Sequence, residues 1–140
     1  MKNKLWIVPI FVVVILVLVV MLGNRKNNLS STSTFSTKTS DENAVVVEVT
    51  PKVLSDNQPA SFQMAFDTHS VPLEFDLLKV SKLTDDQGNI YQPVSWSGGS
   101  GGHHLSGILT FPKIGNVKSI ELIVTGVAGV DRIFKWEIAR

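Results

Sequence analysis

From Val45 to Ile138, apolar residues recur at every second position. Val45, Val47 and Val49 alternate with Val46, Glu48 and Thr50, and Phe62, Met64 and Phe66 with Ser61, Gln63 and Asp67. Leu105, Leu109 and Phe111 belong to a third such run, Ile120, Leu122 and Val124 to a fourth, and Phe134, Trp136 and Ile138 to a fifth. Successive side chains of a strand point to opposite faces, so this period marks strands with one buried face. Leu73, Phe75 and Leu77 continue the pattern, and Asp85-Asp86-Gln87-Gly88-Asn89 is hairpin-turn chemistry before Ile90-Tyr91. No stretch of this region carries an apolar stripe of helical period. The sequence therefore predicts an all-β domain over 44–140. The expected form is an immunoglobulin-like antiparallel β-sandwich of about seven strands.

A different pattern precedes it. Leu5 to Leu22 holds no charged or polar side chain except the indole of Trp6. As a helix it spans about 27 Å, close to the apolar thickness of a bilayer. The stretch is longer than a secretory core and ends Val20-Met21-Leu22-Gly23 without a small-x-small cleavage pattern, which favours an uncleaved transmembrane helix over a signal peptide. Lys2 and Lys4 lie before it and Arg25 and Lys26 after it. The short basic head, 1–4, is expected to stay in the cytoplasm and the long following domain outside it. Residues 23–43 are rich in Ser, Thr and Asn and are expected to form a disordered linker with a reach of about 25 Å. Within it, Asn28-Leu29-Ser30 fits a short glycan-acceptor pattern.

Charge and cysteine content remove several function classes. From Ala44 onward, eight Lys/Arg stand against ten Asp/Glu, a balance of −2 with no basic cluster, which argues against nucleic acid as a partner. The chain has no cysteine, so disulfides, thiolate metal sites and a thiol nucleophile are absent.

Three groups of residues could carry chemistry. His69, His103 and His104, with Asp67, all fall at strand ends or in loops. Converging imidazoles would suit copper or zinc, although neighbouring His103 and His104 share one ion only where the pleat is broken. The plain alternative is polar loop residues bonded to nearby backbone. Trp96 with Gly98, Gly99, Gly101 and Gly102 could form a ligand or partner surface, because glycine leaves backbone accessible and an indole offers a stacking platform. Carbohydrate binding through Trp96 and Tyr91 is a further possibility, and a core position for Trp96 is the competing one. Asp67, His69 and Ser70 are too close in sequence for a hydrolytic triad. The glycine loop lacks the Lys-Ser/Thr of a phosphate cradle, and the Asp85 turn lacks the spacing of a calcium loop.

The segments Phe66-Asp67-Thr68-His69-Ser70, Leu83-Thr84-Asp85-Asp86-Gln87-Gly88 and Gly102-His103-His104-Leu105-Ser106-Gly107 together resemble small uncharacterised prokaryotic domains that follow a membrane segment. The likeness covers about Val45 to Ile138 and implies no established activity. At fold level alone the arrangement is similar to periplasmic copper-resistance sandwiches, whose His and Met patterns do not align here. The expectation from sequence is a single-pass, extracytoplasmic, non-enzymatic binding or interaction module, with a copper- or zinc-binding domain using His69, His103 and His104 as the alternative.

Overall fold

Strand pairing begins earlier than the apolar alternation does. The computed structural model describes residues 35–138, and the expected membrane helix 5–22 and most of the expected linker lie outside them. The described residues are all-β apart from one helical turn. They contain nine strands rather than seven: β1 (Lys38–Glu42), β2 (Val45–Val53), β3 (Pro59–Thr68), β4 (Ser81–Asp85), β5 (Ile90–Tyr91), β6 (Ser95–Trp96), β7 (His104–Lys113), β8 (Ser119–Val127) and β9 (Val130–Glu137). The first sheet has the order β1-β2-β3-β7-β6 and the second β5-β4-β8-β9, every pair antiparallel. Among the described residues no helix is long and apolar enough to cross a membrane.

The inward residues are those the alternation marks. Val45, Val47, Val49, Phe62, Met64, Phe66, Leu109 and Phe111 from the first sheet meet Leu83, Ile120, Leu122, Val124, Phe134 and Trp136 from the second. Phe62 and Trp136 join the two sheets with ring centroids 5.6 Å apart, and Phe111 meets Phe62 edge-on at 5.8 Å. Burial of each such side chain contributes about 1.5–3 kcal/mol, which makes this layer the main source of stability.

Two expectations are corrected. Of the linker expected to be disordered over 23–43, the described part, 35–43, is ordered, and Lys38–Glu42 pairs with β2 from Glu42↔Val45 to Lys38↔Val49. Its polar composition concealed the strand because backbone bonds and distant side chains hold it. Phe35 packs on the core, Trp136 Nε1 donates to the Ser36 carbonyl at 2.9 Å, and the Thr37 and Thr50 hydroxyls bond at 2.6 Å. The alternation at Leu73-Phe75-Leu77 is not a strand. Leu73 and Leu77 are buried and Phe75 half-buried, but the segment crosses from one sheet to the other and has no strand partner. It ends in a single helical turn, α1 (Leu77–Val80), capped by Asp76, whose carboxylate accepts from the Leu78 amide.

The β1–β2 hairpin turns through Asn43 and Ala44, both left-handed with φ of 48° and 62°. Asn tolerates this region, whereas Ala strains there by about 1–2 kcal/mol. Arg132, on β9 and fully buried, stabilises the hairpin from the opposite sheet. Its guanidinium donates to the Ser40 hydroxyl at 2.8 Å, the Glu42 carbonyl at 2.5 Å and the Val45 carbonyl at 3.3 Å, and lies 3.6 Å from the Glu42 carboxylate. Asn43 Nδ2 adds a bond to the Ala128 carbonyl in the β8–β9 turn. Arg132→Ala is expected to cost about 3 kcal/mol, since it leaves buried carbonyls and a cavity behind. Urea unfolding of both proteins measures the difference. A loss below about 0.5 kcal/mol would show that the clamp is dispensable.

Candidate functional site

The connections β3–β4 and β6–β7 leave the sheets at the end of the sandwich where β2 begins. There Val45 faces Thr68, and Asp67 faces His104. The chain enters at the other end, where Lys38 faces Val49. The two connections are laced together. The Thr68 amide donates to the His103 carbonyl and the Leu73 amide to the Gly102 carbonyl, each at 3.0 Å, while Thr68 Oγ1 accepts from the Ser70 and Val71 amides.

Between them lies a cleft of about 460 Å³. Trp96, Phe75 and Leu77 form its apolar wall, Glu74 and Asp76 stand on one rim, and Gly99, Ser100 and Gly101 form the other. Phe75 is held by an edge contact to Phe66 at 5.2 Å. Trp96 is half-buried, and its Nε1 donates to the Gly99 carbonyl at 2.9 Å, which closes the glycine loop onto the indole. The indole lies directly against the backbone at Gly98 and Gly107. A methyl group at Gly98 would run into the indole and the Ser106 carbonyl, and one at Gly107 into the Gly98 backbone and the indole. These two glycines therefore set the depth at which Trp96 sits. The Ser97 amide and hydroxyl fix the loop's first residue to Ile108.

Of the residues expected to form a partner surface, Trp96, Gly99 and Gly101 line the cleft. Gly98 seats the indole and Gly102 anchors the loop. Tyr91 does not line it. Its hydroxyl donates to Asp85 at 2.8 Å, so the expected Trp96–Tyr91 platform is not assembled there. Glu74, Phe75, Asp76 and Leu77 escaped the sequence reading because their alternation resembled a strand interior. The parity did carry a signal: the two carboxylates fall on the positions opposite Leu73 and Leu77.

The histidines behave differently from one another. His104 Nδ1 and Asp67 Oδ1 are 2.6 Å apart across β3 and β7, with both side chains largely exposed. The His69 ring stands 6.4 Å from that of His104, at 80°. His103 is exposed just outside β7. The expected donor set of His69, His103, His104 and Asp67 is not assembled: among the described residues no group of three or more His, Cys, Asp or Glu is placed to hold a metal ion. His103 lies in the bend before β7, and Asp67 is already bonded to His104. An exposed pair of this kind contributes at most about 1 kcal/mol. Among the described residues no serine hydroxyl bonds His104.

The Asp85 turn is structural. Burial of Asp85 opposes its charge, but bonds from the Asn89 side chain and amide, the Tyr91 hydroxyl and the Gln87 amide outweigh that and hold its pKa below the ordinary 3.8. Asp86 is also lowered, by the Lys118 and Ser119 amides, and burial beside Asp85 raises Tyr91.

No protein-family model, curated protein or solved structure matches the chain.

Asp85→Ala should lower stability by about 2–3 kcal/mol at neutral pH, through loss of an acceptor for four donors. A folded pKa below 3.8 means that ionisation stabilises the fold fully above that pH and loses this effect as the pH falls through the folded value. The gap between wild type and variant, read by urea unfolding, should therefore narrow below about pH 4. Gly107→Ala should displace the indole and cost about 1–3 kcal/mol by overpacking. A blue or red shift of tryptophan emission with the β circular-dichroism signal retained would report that displacement, and unchanged emission would show the indole is not seated by Gly107.

Proposed function

We propose that this chain is a single-pass, membrane-tethered, extracytoplasmic module that binds a ligand or protein partner without catalysis, through the Trp96 cleft. The observation that carries the reading is a half-exposed indole set in a 460 Å³ cleft between two cross-laced connections. Binding sites of this size combine apolar walls with a few placed polar groups. The immunoglobulin-like character is supported by strand order. With β1 set aside, β2-β3-β7-β6 and β4-β8-β9 repeat the ABED and CFG sheets of an immunoglobulin sandwich, and β5 stands where C′ adds. In that correspondence one cleft wall is the B–C connection, a ligand-contacting loop of variable domains. This is an analogy of fold alone. The tether reading rests on the apolar stretch Leu5–Leu22, and a chain arriving at Phe35 enters the end of the sandwich away from these connections.

Two experiments test this. The chain has no cysteine, so Gln92→Cys supplies a single exposed thiol. A membrane-impermeant maleimide added to intact expressing cells should label it, and labelling only after permeabilisation would overturn the topology. For the cleft, the full chain carrying 5-fluorotryptophan gives signals for Trp6, Trp96 and Trp136. Among short peptides and oligosaccharides of varied charge, at least one should move the Trp96 signal and leave Trp136 in place. A panel that moves neither would remove the cleft as a binding site.

A further inference from the structure

The ligand chemistry of the cleft can be taken one step further, on the reading that it is a binding site. Its apolar floor and its charged rim are of different kinds. Trp96 and Phe75 present half-exposed aromatic surface, and the π-face of an indole attracts a cation when water is partly excluded. Glu74 and Asp76 are the charged side chains of the lining, both exposed and both acidic. Asp76 has one carboxylate oxygen on the Leu78 amide and the other 3.4 Å from Lys79, so its position is fixed by α1. The opposite rim, Gly99 to Gly101, exposes backbone with little side chain over it, as an extended peptide main chain requires to come within bonding distance. The carbonyl of Gly99 is aligned by Trp96 itself.

We infer that the cleft receives a lysine or arginine side chain of an extended segment of a partner protein, with the alkyl stem along Trp96 and Phe75 and the cationic head at Glu74 and Asp76. Long basic side chains combine an apolar stem with a charged tip, which matches a greasy floor and an acidic rim. A neutral saccharide would use the indole but bring no countercharge to Glu74, whereas Asp76 already has Lys79. An acidic segment would be repelled by the two carboxylates.

The test uses the full-length chain, labelled with 5-fluorotryptophan, in nanodiscs of uncharged phosphatidylcholine. The probes are the peptide Gly-Lys-Gly-Lys-Gly, the same peptide with both lysines acetylated, and neutral chitotetraose. The lysine peptide should move the Trp96 resonance saturably and bind about tenfold more tightly than its acetylated form. Its affinity should fall with added salt and fall again in Glu74→Gln, whose Trp136 resonance serves as the check on folding. Equal affinity for the two peptides would overturn the cationic assignment. So would chitotetraose moving Trp96 where the lysine peptide does not, although that result would leave the cleft standing as a binding site. A Trp96 resonance that no probe moves would overturn both.

Discussion

The guanidinium of Arg132 is the interaction on which the shape of the described domain most depends. A buried charge costs several kcal/mol in lost hydration unless its donors are met. Here Ser40, Glu42 and Val45 meet them, all from the β1–β2 hairpin of the opposite sheet. Its Nε has no protein partner. The bonds fall on the residues that flank Asn43 and Ala44, so the strained turn is held from both sides. One arginine thereby joins the β9 edge of the second sheet to the β1 edge of the first. Trp136 repeats the link lower down through Ser36, and Lys38 lies 6.0 Å above its ring.

With that side closed, the opposite side carries the opening. There β5 and β6 are only two residues long each, too short to cover the space between the sheets. The β3–β4 connection fills it in part, with Leu73 and Leu77 buried and Phe75 against Phe66. What remains is the cleft. Its indole is held at a fixed depth by Gly98 of the β6–β7 connection and Gly107 of β7, and tied to Gly99 by its own N–H. Rigid aromatic surface with little entropy left to lose is the kind of surface on which recognition is built.

The histidines illustrate how residue type can mislead. His69, His103 and His104 share one end of the domain, as their places beside loops implied. The convergence ends with one ring contact and one carboxylate partner. Strand pairing decides part of this: Asp67 and His104, remote in sequence, are direct neighbours across the ladder, while His103 stays in the bend before β7. The copper or zinc expectation rested on loops that gather at one end of a sandwich, and the pairing of β3 with β7 sets His104 on Asp67 instead.

Parity along the chain was enough to assign the inward face of β2, β3, β7, β8 and β9, because a period of two is imposed by the backbone itself. The same parity places Arg132 inward with Phe134 and Trp136, a signal present in the residues and obscured by the habit of reading arginine as surface. The Asp85 turn was legible for a similar reason, since its bonds run between residues at most six apart. Three things were decided by tertiary structure alone. Lys38–Glu42 is a strand because partners about ninety residues away complete it. Leu73–Leu77 is a crossing and not a strand because no neighbour offers a ladder. The cleft exists because Phe75 of the β3–β4 connection meets Trp96 of β6 and the glycine loop of the β6–β7 connection. Local periodicity reports which way a side chain faces, and only the assembled chain reports what it faces.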